Sequence, residues 1–252
     1  GATADRIQAE GTLQISKASY VNVIGQPPGQ LTPARSLEDL PKTLEEARRI
    51  AKKSHPDIIS AQFREQAARE AVKIKRGELY PTLNAVGTAS RAWESSTNDS
   101  QLTTGEVRLD LSIPLYQKGT VYSELREAKV VAGRSRLDLE DARRTVLANV
   151  SSAWETLTST RARIKSFEAQ ITAANIALEG VQREASVGSR TVLDVLDAEQ
   201  ELLDAKVSLV RAQRDEVVAS FQLKEAVGQL TAENLSLQVD LFDPDAYYRH
   251  KK

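Results

Sequence analysis

The sequence has 252 residues and a net charge of −1, with 34 basic and 35 acidic side chains, no cysteine and only 5% aromatic residues. Balanced charge leaves no basic field to hold a nucleic-acid backbone, and the lack of cysteine excludes disulfides, thiolate metal sites and cysteine nucleophiles. Ala, Leu, Val, Glu, Arg and Gln dominate, a palette of long helices, and no apolar run approaches the ~18 residues of a membrane-spanning helix, so any bilayer crossing would use strands.

Residues 2–23 read as a helix that opens without a capping pattern, which predicts that the sequence starts inside a longer protein. Gly25, Pro27, Pro28 and Gly29 stop it. After a polar linker, Thr43-Leu44-Glu45-Glu46 reads as a capping box, with Thr43 as N-cap and Glu46 at the third helical position. That helix runs to about His55, and Pro56 opens another amphipathic helix ending near Glu78, ahead of Pro81.

From Pro81 the period changes. Val107, Leu109, Leu111, Ile113 and Leu115 alternate with polar residues from Glu106 onward, the two-residue repeat of a strand with one apolar face. Thr82 to Trp93 is a second strand candidate, and Glu94 to Gly105 reads as a polar loop between the two. About ten alternating residues per strand is the length that crosses a bilayer within a β-barrel.

No proline interrupts Thr120 to Val187, where Ala128, Ala132, Ser135, Leu139, Ala142, Val146, Val150, Ala153, Leu157, Ile164, Phe167, Ile171, Ala174, Leu178, Val181 and Ala185 form a heptad seam. A helix of that length is ~100 Å long. It breaks at Gly188, and a second long helix starts at Thr191. Ala198, Ala205, Ala212, Ala219 and Ala226 repeat every seven residues along it, beside a separate row at Leu196, Leu203, Val210 and Val217. Two seams predict packing against two neighbours, as in a wall of helices, with left-handed supercoiling. Ser19 to Gln26 also matches Gln222 to Gln229, each ending a helix at Gly-Gln, an internal repeat.

The order of capped helix, Leu79-Tyr80-Pro81-Thr82-Leu83, strand, polar loop, strand ending Ile113-Pro114-Leu115-Tyr116 and very long helix resembles the second repeat of TolC-type outer-membrane factors. The sharpest likeness is the run from Ser186 through Gly188-Ser189-Arg190-Thr191 to Glu199, similar to that family's helix-turn-helix tip. The resemblance implies a mainly α fold: very long coiled-coil helices of a trimeric α-barrel, with a membrane β-hairpin contributing to a β-barrel. It divides the chain into the end of a first-repeat helix (1–25), a linker (26–42), second-repeat helices (43–79), the outer-membrane hairpin (80–117), the helical hairpin of a periplasmic tube with its tip near 186–197 (118–229) and a polar tail (230–252). Three copies would supply six strands where the family uses twelve. The implied function is passive conduction of substrates as a homotrimer in the outer membrane of a Gram-negative bacterium. The implied partners are a periplasmic adaptor, an inner-membrane pump of an efflux or type I secretion system, and outer-membrane lipid.

By the same resemblance, Asp194 and Asp197 line the constriction at the periplasmic end, Arg190 ties the closed tip together, and Val187, Gly188, Ser189, Arg190 and Thr191 receive the adaptor. Each has a plainer reading. Asp194 is the capping-box acid if Thr191 is the N-cap, Arg190 is a solvated turn arginine or pairs with a neighbouring helix, and Gly188 supplies φ > 0. Trp93, Tyr80 and Tyr116 stand near strand ends, where aromatics anchor membrane interfaces, with packing at the strand-to-helix junction the reading preferred for the two tyrosines. His55 and His250 have no ligand spacing, no residues show triad logic, and neither cofactor nor enzyme activity is implied. The competing class is a periplasmic adaptor with a coiled-coil hairpin, which would flank its helices with compact β-domains.

Overall fold

The computed structural model describes residues 2–32, 34–37, 39–93 and 101–241; His250 and most of the expected polar loop lie outside them. The chain forms two compact units, residues 1–38 and 39–252. The first contains helix α1 (Ala2–Ile24). Its end is marked by Gly25 at φ +83°, whose N–H donates to the Val21 carbonyl at 2.8 Å.

In the second unit the order is α2 (Leu44–Ser54), α3 (Pro56–Gly77), β1 (Thr82–Trp93), β2 (Gln101–Ser112), α4 (Thr120–Ser186) and α5 (Val192–Ala226). Thr43 caps α2 by accepting from the Glu46 N–H at 3.2 Å. The box is not reciprocal: the Glu46 carboxylate accepts from the Lys42 N–H at 3.0 Å, one residue short of the N-cap. His55 joins α2 to α3, its Nδ1 accepting from the Asp57 N–H at 3.2 Å, so this histidine works as a helix cap.

The core lies where α2, α3, α4 and α5 converge, with Ala47, Ala51, Ile58, Val150, Leu223 and Val227 essentially sealed from solvent. Each fully buried Ile, Val or Leu there contributes about 1.5–3 kcal/mol. Along α4 the seam residues Leu139, Val146, Val150, Leu157 and Ala174 are buried, together with Thr160, which at 1% exposure fills the heptad step between Leu157 and Ile164. A threonine is invisible to an apolar pattern, yet its methyl packs like valine's. Ala205, Ala212 and Ala219 of α5 face this seam and are buried. Arg161–Glu216 at 2.9 Å and Arg163–Asp215 at 3.9 Å bridge the two long helices beside this seam.

The first three positions of the second row on α5 are left uncovered by the described residues. Leu196, Leu203 and Val210 remain 56%, 53% and 63% exposed. Val217, the next in the row, is half-buried, and the heptad position after it is Lys224, which the chain buries to 2% while its ammonium donates to the Asp39 carbonyl at 2.8 Å and carboxylate at 2.9 Å. That contact ties part of the expected linker to the end of α5.

The α5 terminus is closed by glycine. Gly228, at φ +77°, donates to the Glu225 carbonyl at 2.7 Å and Gln229 to the Lys224 carbonyl at 3.0 Å, the paired bonds of a left-handed C-terminal cap. A Cβ on Gly228 would lie 2.8 Å from His55 Cα and 2.9 Å from Pro56 Cδ, so only glycine lets the end of α5 meet the α2–α3 junction.

Candidate functional site

Two regions present the residues singled out in the sequence. The first is the turn between α4 and α5. It is built by the same cap as at Gly228: Gly188, at φ +80°, donates to the Ala185 carbonyl at 3.0 Å and Ser189 to the Glu184 carbonyl at 2.9 Å. Around Gly188 there is open space, so its requirement is purely the left-handed backbone. Val187, Gly188, Ser189, Arg190 and Thr191 are all exposed and contiguous.

Thr191 is the N-cap of α5, which therefore starts at Val192. Its Oγ1 accepts from the Asp194 N–H at 3.3 Å, and the Asp194 carboxylate accepts from the Thr191 N–H at 2.8 Å and from its hydroxyl at 2.8 Å. These bonds from Thr191, with a smaller contribution from the Arg190 charge, hold the Asp194 carboxyl below the usual carboxylate range. Within the chain Asp194 is thus engaged as a capping acid. Asp197 stands one turn further along the helix and is exposed.

Arg190 donates to Glu184 on the last turns of α4 at 2.8 Å, and that carboxylate raises the arginine's proton affinity further. The pair joins the turn back to the end of α4, so Glu184 and not Asp194, four residues on, is the main partner of Arg190. Sequence reasoning missed Glu184; six residues before Arg190, it is detectable only once the turn geometry brings the two together.

The second region is the hairpin. β1 and β2 pair antiparallel from Thr82↔Ser112 to Trp93↔Gln101. This corrects two boundaries: β2 begins at Gln101 inside the expected loop, and it ends at Ser112 rather than running to Leu115. The polar stretch 101–105 is drafted into the ladder by its partners in Ala89–Trp93, while Pro114 has no N–H to give.

Because side chains alternate and cross-strand partners share a face, the register sorts the hairpin into two surfaces. One carries Leu83, Ala85, Gly87 and Ala89 opposite Leu111, Leu109, Val107 and Gly105. The other carries Thr82, Asn84, Thr88 and Ser90 opposite Ser112, Asp110, Glu106 and Thr104, with two apolar exceptions, Val86 facing Arg108 and Ala92 facing Leu102. On that polar surface Arg108 pairs with Asp110 at 2.9 Å and with Glu106 at 3.7 Å. At the far end of the apolar surface the Arg91 guanidinium lies 5.2 Å from the Trp93 ring centroid.

At the root of the hairpin, Lys75 on α3 bridges Glu78 at 3.0 Å and Glu124 of α4 at 2.9 Å, and Gln117 donates to the Glu78 carbonyl at 3.5 Å. Tyr80 and Tyr116 are exposed here instead of packing into the junction, because the core lies further along the helices. No cluster of potential metal ligands occurs among the described residues.

Comparison with known proteins adds to this geometry. Residues 47–229 match the family profile described as outer membrane efflux protein. The chain is 35% identical over 245 residues to the outer membrane efflux protein BepC of Brucella suis biovar 1, a match covering 97% of this chain and 54% of that one. It is 29% identical over 206 residues to outer membrane protein TolC of Salmonella enteritidis, covering 78% of this chain and 42% of TolC. The chain therefore spans about half the length of these relatives. Among solved structures, CusC superposes with a TM-score of 0.73 at 21% identity, covering 90% of this chain and 54% of CusC, a likeness of fold.

Proposed function

This chain belongs to the outer membrane efflux protein family, and on that premise we propose that it forms half of each subunit of a trimeric duct carrying substrates passively across the periplasm and outer membrane. The observation that carries the reading is the hairpin register. From Leu83 to Trp93 the strand rises ~33 Å, or about 25 Å once tilted as strands in membrane barrels are, the height of a lipid-facing apolar band. The apolar surface, uncharged from Leu83 to Ala89 and carrying Arg91 near its far end, faces lipid, and the surface bearing Glu106, Arg108 and Asp110 faces water in the lumen. The uncovered row Leu196, Leu203 and Val210 is the seam for a neighbouring helix of the assembled wall, supplied by another subunit or by the other half of this one.

At the opposite end, the exposed turn Val187–Thr191 receives the tip of a periplasmic adaptor that links the duct to an inner-membrane pump, whether for efflux or for type I secretion. Asp197, joined by Asp194 when the cap opens, forms an acidic ring around the threefold axis that favours cations; the Arg190–Glu184 pair keeps the turn closed. Such a subunit supplies no catalysis. The adaptor reading of the chain itself loses ground to the family match and to a hairpin with one wholly uncharged central surface, which a periplasmic protein has no use for.

The test is single-channel conductance of the full-length protein in a planar bilayer, with and without Asp194→Ala plus Asp197→Ala. A small cation-selective conductance that grows or loses selectivity in the double variant is the expected result. Unchanged conductance and selectivity would leave Asp194 only its capping role and Asp197 only a solvated helix face, and no conductance in wild type would remove the duct.

A further inference from the structure

The two arginines of the hairpin have opposite surroundings. Arg108 lies on the polar surface, within reach of two carboxylates, Glu106 and Asp110. Arg91 lies on the other surface, by strand parity with Leu83, Ala85 and Ala89, and the described residues of that surface include no Asp or Glu. Its neighbours are Trp93, whose ring it overlies at 5.2 Å, and its cross-strand partner Thr103, with Gln101 opposite Trp93.

Resting on the reading of the hairpin as a bilayer crossing, we propose that Arg91, oriented by Trp93, binds the phosphate of a lipid headgroup in the outer leaflet. Along the tilted strand Arg91 stands ~20 Å above Leu83, near the upper rim of a ~25 Å apolar band. A guanidinium at the middle of that band would be strongly disfavoured, whereas at the rim it is tolerated. On the lipid-facing side the anion available at that depth is a lipid phosphate, and the planar fork of arginine matches phosphate oxygens in a bidentate manner. The Trp93 ring covers one face of the guanidinium, fixing its plane while leaving the in-plane N–H donors open. The Thr103 hydroxyl and Gln101 amide add donors on the same surface, so a phosphate there meets hydrogen-bonding groups from both strands. One basic residue near a membrane surface corresponds to about a fivefold preference for an anionic lipid.

The experiment uses the full-length assembled protein in detergent micelles with added lipid A, either bisphosphorylated or with its phosphates removed, and counts bound lipid by native mass spectrometry. Wild type should retain the phosphorylated form about fivefold more strongly per site. Arg91→Gln should abolish that preference while assembling and conducting like wild type, and Arg108→Gln should keep it. An unchanged preference in Arg91→Gln, or an equal loss in Arg108→Gln, would overturn the assignment. Failure of the duct reading looks different: wild type would give no conductance in a planar bilayer. Normal conductance with no lipid preference in wild type would remove the phosphate contact alone.

Discussion

Gly228→Ala isolates the energetic weight of the junction between α5 and the α2–α3 break. Four of the described glycines share a left-handed backbone, with φ of +83° at Gly25, +78° at Gly119, +80° at Gly188 and +77° at Gly228. Alanine at any of them bears the intrinsic penalty of that region, about 1–2 kcal/mol. Gly25 and Gly188 have nothing within 4 Å of a new Cβ, but at Gly228 the same atom meets His55 Cα at 2.8 Å and Pro56 Cδ at 2.9 Å. Both obstacles belong to backbone or a proline ring and cannot rotate away, so an overpacking penalty of about 1–3 kcal/mol is added. The expected total is about 2–5 kcal/mol for Gly228→Ala against about 1–2 for Gly188→Ala. Hydrogen exchange of the full-length protein reads the difference locally: amides of the first turn of α3 and the last turn of α5 should lose protection in Gly228→Ala and keep it in Gly188→Ala. Equal destabilisation by the two substitutions would show that the close approach does not hold the junction.

Val107→Lys, opposite Gly87 and near the middle of the span from Leu83 to Trp93, should cost about 2–4 kcal/mol at the bilayer midplane and reduce the yield of assembled protein in the outer membrane, while Thr104→Lys on the polar surface should leave that yield nearly unchanged. Thr191→Ala removes the α5 cap and should cost ~1 kcal/mol, seen as faster exchange of the Val192–Asp194 amides. Since Asp194 titrates below its unfolded value in the folded chain, its contribution to that turn is present above pH ~4 and lost as pH falls through the lowered folded value. Asp194→Asn should flatten this acid-dependent loosening. At Lys224, removing the partner should be worse than removing the charge: Asp39→Asn leaves a buried ammonium with the Asp39 carbonyl, whereas Lys224→Met keeps the volume and removes the charge. Thermal denaturation should rank Asp39→Asn below Lys224→Met, and the reverse order would refute the tie.

The long helices were legible because heptad spacing survives over many turns and proline is absent between Thr120 and Val187. The two-seam character of α5 was legible for the same reason: alanines mark the close approach within the chain, and the Leu196–Val217 row marks a different direction. What escaped were residues whose role depends on geometry between distant segments. Lys224 occupies the heptad position after Val217, and a lysine there reads as the end of a seam until Asp39 is seen to come back across it. Thr160 was passed over because the seam steps a full seven residues from Leu157 to Ile164 and leaves the position between them unread. The start of β2 was hidden since Gln101 to Gly105 has the composition of a loop, and only pairing with Ala89–Trp93 makes it a strand. At the tip, the Thr191–Asp194 box was foreseen as the plainer reading, whereas Glu184 as the partner of Arg190 needed the turn itself.

The sorting of charge between the hairpin surfaces has a consequence for how the protein is made. Among the described residues each strand has one neighbour, leaving two open edges of unpaired backbone N–H and C=O groups, and one surface holds Glu106, Arg108 and Asp110. A solitary hairpin entering hydrocarbon would bring both edges and those ions with it, each unsatisfied backbone group costing several kcal/mol. If the hairpin crosses the bilayer as proposed, insertion is all-or-none: strands from several hairpins must close on one another before or as they enter the bilayer. The membrane then acts as a proofreader, rejecting any assembly that is short of a partner.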